Sequence, residues 1–589
     1  MRIAVLLKDR CKPKNCSIEC IKFCPRVRAG DETVVMGEEG KPVISEELCV
    51  GCGICVHKCP FDAIKIIGLA EELETDLVHQ FGKNGFRLFR LPVPKTGSCI
   101  GVLGPNGIGK TTAFKILSGQ LKPNLGDYED DPSWEVIVDY YAGTELGGHF
   151  KKLANKGITS VVKPQYVDKL PRTMKGKISD ILKKSEPDDF DNVVEKLGLD
   201  NVLDKNIEDR DISGGELQLV AVAATLLKDV DLYLFDEPSS YLDIHQRLNV
   251  ARIIKELSKR KKVMVIEHDI AVLDFLCDNV HLLYGDEGAY GVVTNPRGVR
   301  YAINTYLSGY LKEENIRFGE KIEFFAHPPK HRQKMKILIS YDDLAKSFNG
   351  FNLKIDKGVI REGEIIGIVG PNAIGKTTFV KMLAGVMEPS KGKMEYEIKV
   401  SYKPQYVTPD LSGTVRELFE KKASQLFTSS FFKAEIFEPF HLKYLLDKKL
   451  DTLSGGELQR VAVANCLVQE ADIYLIDEPS AYLDSEQRMI TSRTIRRVIE
   501  KSGSSALVVD HDVYFIDMVS DALIVFDGEP GMNGRGQGPF SLHEGMNRFL
   551  KDVDITFRRD EESKRPRVNK PDSYMDRKQR KEGEYYYSL

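Results

Sequence analysis

No apolar stretch in this chain is long enough to cross a bilayer as a helix. Nor does the amino terminus carry a signal peptide: Met1 opens into RIAVLLKDRCK, without a long apolar run or a small-residue cleavage site. Charge of one sign is equally scarce, with a formal net charge of −4 over 589 residues. That balance names no partner, because charge can still be sorted locally. These absences remove secretion and membrane insertion from the expectations and point to a reducing, cytoplasmic setting. What remains is 42% apolar and 29% charged residues, ordinary for a globular protein. The length exceeds what one hydrophobic core serves, so several domains are expected.

Cysteine is the exception to this even composition. Eight of the 11 cysteines fall within the first 59 residues. In a reducing compartment such crowding reads as metal binding rather than disulfides. Cys49, Cys52, Cys55 and Cys59, followed by Pro60, form the C-x2-C-x2-C-x3-C-P run of bacterial ferredoxins. In that run the fourth thiolate ligates the other cluster of a pair. Cys11, Cys16, Cys20 and Cys24, followed by Pro25, form a looser group with the same ending. The expected sets are therefore Cys11, Cys16, Cys20 and Cys59 for one [4Fe–4S] cluster, and Cys24, Cys49, Cys52 and Cys55 for the other. Two four-cysteine zinc sites are the alternative, but zinc ribbons space their cysteines differently. The clusters carry electrons or staple a small head, and sequence fixes no reduction potential. Cys99, Cys277 and Cys466 stand singly in apolar surroundings and read as core residues.

Behind the head the chain repeats itself. GPNGIGKTT (104–112) returns as GPNAIGKTT (370–378), and SGGE with its following DEPSxYLD returns at an offset of 241. KPQYV and the HD pair after an apolar run also recur, at offsets of 240 and 243. The phosphate phrase is offset by 266, so the first copy holds about 26 additional residues, placed within 130–157. Self-similarity of this kind fixes the architecture before any finer reading. Each copy opens with a buried strand that breaks into a glycine-rich loop and a helix. G-x-x-x-x-G-K-T cradles phosphate with backbone N–H groups, a lysine and a magnesium-binding hydroxyl. Gly104, Asn106, Gly107, Gly109, Lys110, Thr111 and Thr112 fill these positions in the first copy; Gly370, Asn372, Gly375, Lys376, Thr377 and Thr378 fill them in the second. LYLFDEP and IYLIDEP are buried strands ending in acids, at the edge where ligands of open α/β sheets gather. Asp236 and Asp477 are expected to hold Mg2+ through water, and Glu237 and Glu478 to polarise the attacking water.

SGGE resembles the signature of ATP-binding-cassette (ABC) ATPases, seen here with a Gln loop (Gln165, Gln405), the YLD loop (Asp243, Asp484) and a switch histidine (His268, His511). The resemblance covers roughly residues 76–290 and 335–528. It implies that Gln165 and Gln405 join Thr111 and Thr377 at Mg2+, and that His268 and His511 assist Glu237 and Glu478. It also implies that signature residues cap the γ-phosphate held by the facing cassette. One site would pair Lys110, Asp236 and Glu237 with Ser454 and Gly456; the other would pair Lys376, Asp477 and Glu478 with Ser213 and Gly215. Adenine would stack on Phe81 or Phe86, and on Phe348 or Phe351. The expected fold is α/β: two tandem ABC-type ATPase domains, head to tail, behind a ferredoxin-like α+β iron–sulfur domain, with a hinge region.

Head, cassette, cassette, without a membrane segment, closely resembles the ribosome-recycling ABC ATPases once called RNase L inhibitor. FRLFRLPVPK before the first loop and MDRKQRKEGEYYY at the end carry the match to nearly full length. The resemblance implies an ATPase, using ATP/ADP, Mg2+ and two [4Fe–4S] clusters, that splits ribosomes after termination with a link to initiation. Implied partners are the small ribosomal subunit, ribosomal RNA, a peptide-release or ribosome-rescue factor, and initiation factors, with the chain a monomer whose cassettes form an internal pseudo-dimer. The additional residues of the first cassette are then a helix–loop–helix that touches RNA through Lys151, Lys152 and Lys156. The expected divisions are 1–75 for the head, 76–290 and 335–528 for the cassettes, 291–334 for one hinge segment, and 529–589 for a second with a basic tail. GVVTNPRG and GMNGRGQGP read as hinge sequence; Asn304 matches Asn547 and Arg317 matches Arg558. Arg558 to Lys581 holds ten basic residues against five acids, as suits RNA, an acidic partner or a disordered tail. The second copy departs at one loop position, Ala373 for Gly107, which implies loops of slightly different stiffness. The rival readings are an ATP-coupled redox enzyme, for which no flavin motif is present, an iron–sulfur assembly factor, and a non-mechanical translation scaffold.

Overall fold

The computed structural model describes residues 2–68, 71–184, 189–209, 212–324, 335–348, 350–395, 398–405, 413–427 and 429–587. The apolar run before each phosphate loop forms a fully buried strand, Cys99–Leu103 in the first copy and Ile365–Val369 in the second. Both have parallel neighbours on either side. Continuous Val, Ile and Leu runs need this setting, with both faces of the strand covered. The first sheet runs in the order Leu77–Gln80, Arg87–Phe89, Tyr290–Val293, Asn279–Asp286, Cys99–Leu103, Lys262–Ile266, Leu232–Asp236, Ser160–Lys163. The second repeats it with Leu344–Phe348, Phe351–Ile355, Asn533–Ser541, Ala522–Glu529, Ile365–Val369, Ser505–Val509, Ile473–Asp477 and Val400–Lys403. The repeat in sequence is thus a repeat of topology.

Two segments read as hinge enter these sheets instead. Tyr290–Val293 and Asn533–Ser541 are strands, so the cassettes extend beyond residues 290 and 528. Their glycines serve close approach. A Cβ on Gly291 would stand 1.9 Å from the Ile108 carbonyl oxygen, and one on Gly534 would stand 2.1 Å from that of Ile374. Glycine in a strand interior marks such a crossing of another backbone, and here the other backbone is the phosphate loop.

The head forms its own layer. Arg2–Leu6 pairs antiparallel with Ile64–Gly68, and Val34–Met36 with Pro42–Ile44. Short helices at Glu19–Lys22, Pro25–Arg28 and Ile54–Lys58 pack over Ala4, Leu6, Val34, Ile44 and Ala63. The additional residues of the first cassette form two helices, Trp134–Tyr140 and Glu145–Ala154, capped by the side chains of Ser133 and Thr144. Ile137, Leu146 and Phe150 root this pair in the first cassette. Lys151, Lys152 and Lys156 remain on its exposed face.

Beyond the sheets, helix Val299–Ser308 follows the first cassette, and helix Leu542–Asp552 follows the second. Residues 325–334 of the expected first hinge segment lie outside the described residues. The basic run near the carboxyl end is folded, which removes the disordered tail from the three alternatives. Strands Phe557–Arg559 and Pro566–Val568 and helix Tyr574–Glu582 enclose it. Arg559 pairs with Asp517 at 2.8 Å, and Arg565 and Arg567 pair with Asp274 at 3.1 and 3.0 Å. Counting charges gave the excess but not the partners, which sit far away in sequence. Among the described residues no helix is long and apolar enough to cross a membrane.

Candidate functional site

Gly109 and Gly375, at φ of 93° and 99°, turn each loop into its helix, Lys110–Leu117 and Lys376–Leu383. Glycine adopts this left-handed backbone without strain, and it leaves the first-turn N–H groups facing the loop, where an anion binds. Lys110 and Lys376 are buried and donate to the carbonyls of Gly104 and Pro105, and of Gly370 and Pro371. Burial lowers both ammonium groups, Lys376 to about 8. Thr111 Oγ1 donates to Asp236 Oδ2, and Thr377 Oγ1 to Asp477 Oδ2, each at 2.8 Å. Burial, and then the adjacent Glu237 or Glu478, pushes both aspartates up to about 6. A divalent cation among these oxygens would relieve that penalty. Thr112 and Thr378 occupy the third helical positions.

Glu237 and Glu478 each sit at φ of 48°, a left-handed conformation uncommon outside glycine. Their surroundings hold them there. Glu237 N donates to Ile266 O at 2.9 Å, and its carbonyl accepts from Lys163 at 3.1 Å and Gln218 at 2.7 Å. Lys403 and Gln459 do the same for Glu478, at 3.2 and 2.6 Å. Backbone strain fixed by several contacts is a mark of functional positions. The carboxylates face the expected groups: Gln165 Nε2 donates to Glu237 Oε1 at 2.6 Å, and His268 Nε2 lies 3.6 Å from that oxygen. The second copy gives 2.7 Å from Gln405 and 3.5 Å from His511. Burial raises Glu478, but the hydrogen bond and charge of His511, with Lys376 and Lys403, outweigh it and hold the carboxyl below its usual value. Burial, with Lys110 and Arg488 nearby, lowers His268. Lys163, Lys403, Gln218 and Gln459 were not singled out from sequence, although the lysines stand two residues before each loop glutamine in both copies.

The two copies exchange contacts. Asp484 Oδ2 accepts from Asn106 N at 3.1 Å, and Asp243 Oδ2 from Asn372 N at 2.9 Å. Ser485 Oγ donates to the His268 carbonyl at 2.6 Å, and the rings of Tyr241 and Tyr482 meet edge-on at 5.8 Å. Each signature helix starts against its own YLD loop: a Cβ on Gly214 would stand 3.1 Å from the Tyr241 ring, and one on Gly455 would stand 3.0 Å from that of Tyr482. Ser213 and Gly215 therefore ride with Asp243, and Ser454 and Gly456 with Asp484. Ser213 and Ser454 cap helices Gly214–Leu226 and Gly455–Leu467 in reciprocal boxes with Glu216 and Glu457. The dipole and first-turn N–H groups of each helix favour negative charge at the capped end.

The aromatic candidates divide. Phe86 is wedged under the first loop, its ring 2.9 Å from where a Cβ on Gly109 would lie, and Phe351 packs on the second core. Phe81 and Phe348 keep 47% and 42% of their surface exposed.

In the head the cysteines fall into two neighbourhoods. Cys11, Cys16, Cys20 and Cys59 line one pocket. Burial, and then the charges of Cys59, Cys11 and Cys16, pushes Cys20 up to about 11. Burial with Cys49, Cys52 and Cys24 pushes Cys55 up to about 12. Gly51 and Gly53, at φ of 66° and 75°, wrap the backbone round the second set. Thiols crowded and buried in this way become stable thiolates once a polycation sits among them. Among the described residues no three potential ligands converge on one ion. Cys99, Cys277 and Cys466 are buried in the cassettes, as expected.

An ABC transporter family model matches residues 94–240 and 353–481; a possible Fer4-like domain in RNase L inhibitor matches 1–32, and a 4Fe-4S binding domain matches 42–65. An uncharacterized ABC transporter ATP-binding protein of Methanocaldococcus jannaschii is 52% identical over 593 residues, covering 100% of this chain and 98% of its own. Translation initiation factor RLI1 of Saccharomyces cerevisiae is 45% identical over 598 residues, covering 100% and 98%. The chain in a model of ribosome-bound archaeal Pelota and ABCE1 superposes with a TM-score of 0.95 at 53% identity, covering 100% of this chain and 99% of that one. This chain belongs to the RNase L inhibitor (ABCE1) family. An archaeal ribosome recycling factor of that family, crystallised with the ribosomal stalk protein aP1, superposes at 0.83 with 52% identity, covering 88% and 100%. The chain is therefore an ABC-type ATPase that uses ATP and Mg2+ and carries 4Fe–4S chemistry in its head.

Proposed function

We propose that this ATPase splits ribosomes into subunits in the cytoplasm, acting as a wedge with a release or rescue factor and leaving the small subunit ready for initiation factors. The reading rests on reciprocity across the molecule: the YLD aspartate of each cassette accepts from the phosphate loop of the other. Neither nucleotide pocket is complete on one cassette. Lys110, Thr111, Gln165, Asp236 and Glu237 form one half-site, which Ser454 and Gly456 seal. Lys376, Thr377, Gln405, Asp477 and Glu478 form the other, sealed by Ser213 and Gly215. Glu237 and Glu478 take the proton of the attacking water, and His268 and His511 hold them in place. The exposed rings of Phe81 and Phe348 receive adenine. Moving a two-state equilibrium from mostly open to mostly closed takes about 5.5 kcal/mol of differential binding. Two nucleotides share that load, and charge-assisted hydrogen bonds of about 1.5–3 kcal/mol each supply it. ATP binding thus drives the stroke and hydrolysis resets it. Lys151, Lys152 and Lys156 meet ribosomal RNA phosphates.

Sedimentation of ribosomes with the protein, ATP and a release factor tests the reading. Separated subunits are expected with ATP and intact ribosomes without it. Intact ribosomes in both would remove it.

The head holds two [4Fe–4S] clusters on the quartets described. Cys20→Ser and Cys55→Ser should each lower bound iron by about half, since each set serves one cluster. Iron assay with the cluster absorption band reads this; one substitution that empties both sites, or neither, contradicts separate quartets.

A further inference from the structure

The two nucleotide sites are built alike, but their edges differ at three linked positions. Each sheet has a turn that hydrogen bonds the adjacent phosphate loop: Gly288 N donates to Gly107 O, and Gly531 N to Ala373 O, both at 3.0 Å. In register, Glu287 of the first turn corresponds to Pro530 of the second. Glu287 lies directly on its loop, since a Cβ on Gly107 would stand 2.6 Å from Glu287 Cγ. The second loop carries Ala373 at that position, and its turn has Pro530 where the first has Glu287. The glycine–alanine difference between the two phosphate phrases is thereby explained as room for a side chain rather than as loop stiffness.

The third position lies on the facing cassette. Arg460 of the second signature helix occupies the place of Leu219 in the first, at the 241-residue offset. It is partly buried, and its guanidinium donates to the Phe440 carbonyl at 3.0 Å. Burial lowers it, and Glu287 is foremost among the carboxylates that oppose this. The head touches the same turn. Lys65 Nζ donates to Asp286 Oδ1 at 2.6 Å and to the Glu287 carbonyl at 3.2 Å, and a Cβ on Gly288 would stand 3.1 Å from the Leu7 side chain. On the far side, the head's Arg10 lies over the Tyr444 ring at 5.2 Å, and its Asp62 faces Lys443 at 3.7 Å. Phosphate loop and head thus meet on one short turn, and Arg460 of the opposing signature helix feels its charge.

We propose that Glu287 is the positioning residue through which occupancy of the Lys110 site, and not of the Lys376 site, sets the seat of the cluster-bearing head. Closing the Lys110 site carries Arg460 against Glu287, and the turn that bears Glu287 is the surface on which Lys65 and Leu7 rest. Pro530 and Leu219 give the other site neither charge. The inference rests on the reading that ATP closes the cassettes, and it adds which site the head obeys.

The test uses the full-length protein with its clusters, hydrolysis blocked by Glu237→Gln and Glu478→Gln. One fluorophore pair at residues 39 and 470 reports head against second cassette, and a second pair at residues 196 and 470 reports closure. Lys376→Ala leaves the Lys110 site to bind ATP, and Lys110→Ala leaves the other. The head pair should respond with the Lys110 site filled, at an ATP concentration about tenfold or more below any response through the Lys376 site, a coupling of ordinary size. Glu287→Gln should abolish the head response while the closure pair still responds, and Lys65→Met, which alters only the head's side of the contact, should do the same. Retention of the cluster absorption band shows that the head is folded. Equal head responses from either site, or an unchanged head response in Glu287→Gln, overturn the proposal and leave closure standing. A closure pair silent to ATP in the hydrolysis-blocked parent overturns the underlying reading instead.

Discussion

With Glu237 and Glu478 both changed to glutamine, ATP turnover is expected to fall by about 10²–10⁴-fold, the range of a lost general base. The amide keeps the size of the side chain and its acceptor oxygen for Gln165 or Gln405, 2.6 and 2.7 Å away in the parent. It lacks the carboxylate that takes the proton from water. The backbone at φ of 48° is held by Lys163, Lys403, Gln218 and Gln459 through main-chain carbonyls, so the substitution does not disturb the fold. ATP binding is retained and hydrolysis no longer reopens the molecule. Phosphate release and X-ray scattering in excess ATP measure the two consequences. Turnover near the parent rate, or scattering that stays open, contradicts the roles assigned to these carboxylates.

The second large effect concerns the junction. Arg565 has no exposed side-chain surface. It donates to Asp274 of the first cassette and to Tyr514 of the second, both at 3.1 Å, and lies 3.4 Å from Asn304. One side chain from the last segment thus joins both cassettes at the helices that follow the switch histidines. Removing one member of a buried ion pair costs about 3–5 kcal/mol, because the remaining charge stays desolvated. Arg565→Ala should approach the lower end, since Arg567 still reaches Asp274 at 3.0 Å. Thermal unfolding reads the loss. Arg567→Ala, at a position with 13% side-chain exposure, should be milder. An Arg565→Ala protein that melts with the parent contradicts the assignment.

The phosphate loops, the acidic strand ends and the 4Fe–4S character of the head were legible because their chemistry is written in short spacings. A loop that cradles phosphate needs its glycines, lysine and threonine within a few residues, whatever surrounds them. The signature serine was half legible. Its role toward a facing phosphate came through resemblance, while the S-x-x-E spacing that caps its own helix, seen at Ser213–Glu216 and Ser454–Glu457, is a local signal that went unused. Glycine misled at 533–541, where NGRGQGPFS reads as loop but forms a strand pressed beneath Ile374. A strand crossed by another backbone needs the residue that otherwise marks a turn. The basic segment near the end misled for a different reason. Asp274 and Asp517, which neutralise it, lie far upstream, and no local pattern announces a partner at that separation. Glu287 was invisible on the same ground, although Gly107 against Ala373 was its trace in the sequence.

If each cassette finishes the other's pocket, a label carried on the nucleotide must cross between them. An ATP analogue with a photoreactive group on its γ-phosphate, bound to full-length protein carrying Lys376→Ala, occupies the Lys110 site. Irradiation should mark the second cassette, on the peptide containing Ser454 to Glu457. Label confined to the first cassette, or found on the peptide containing Ser213 to Glu216, would contradict it.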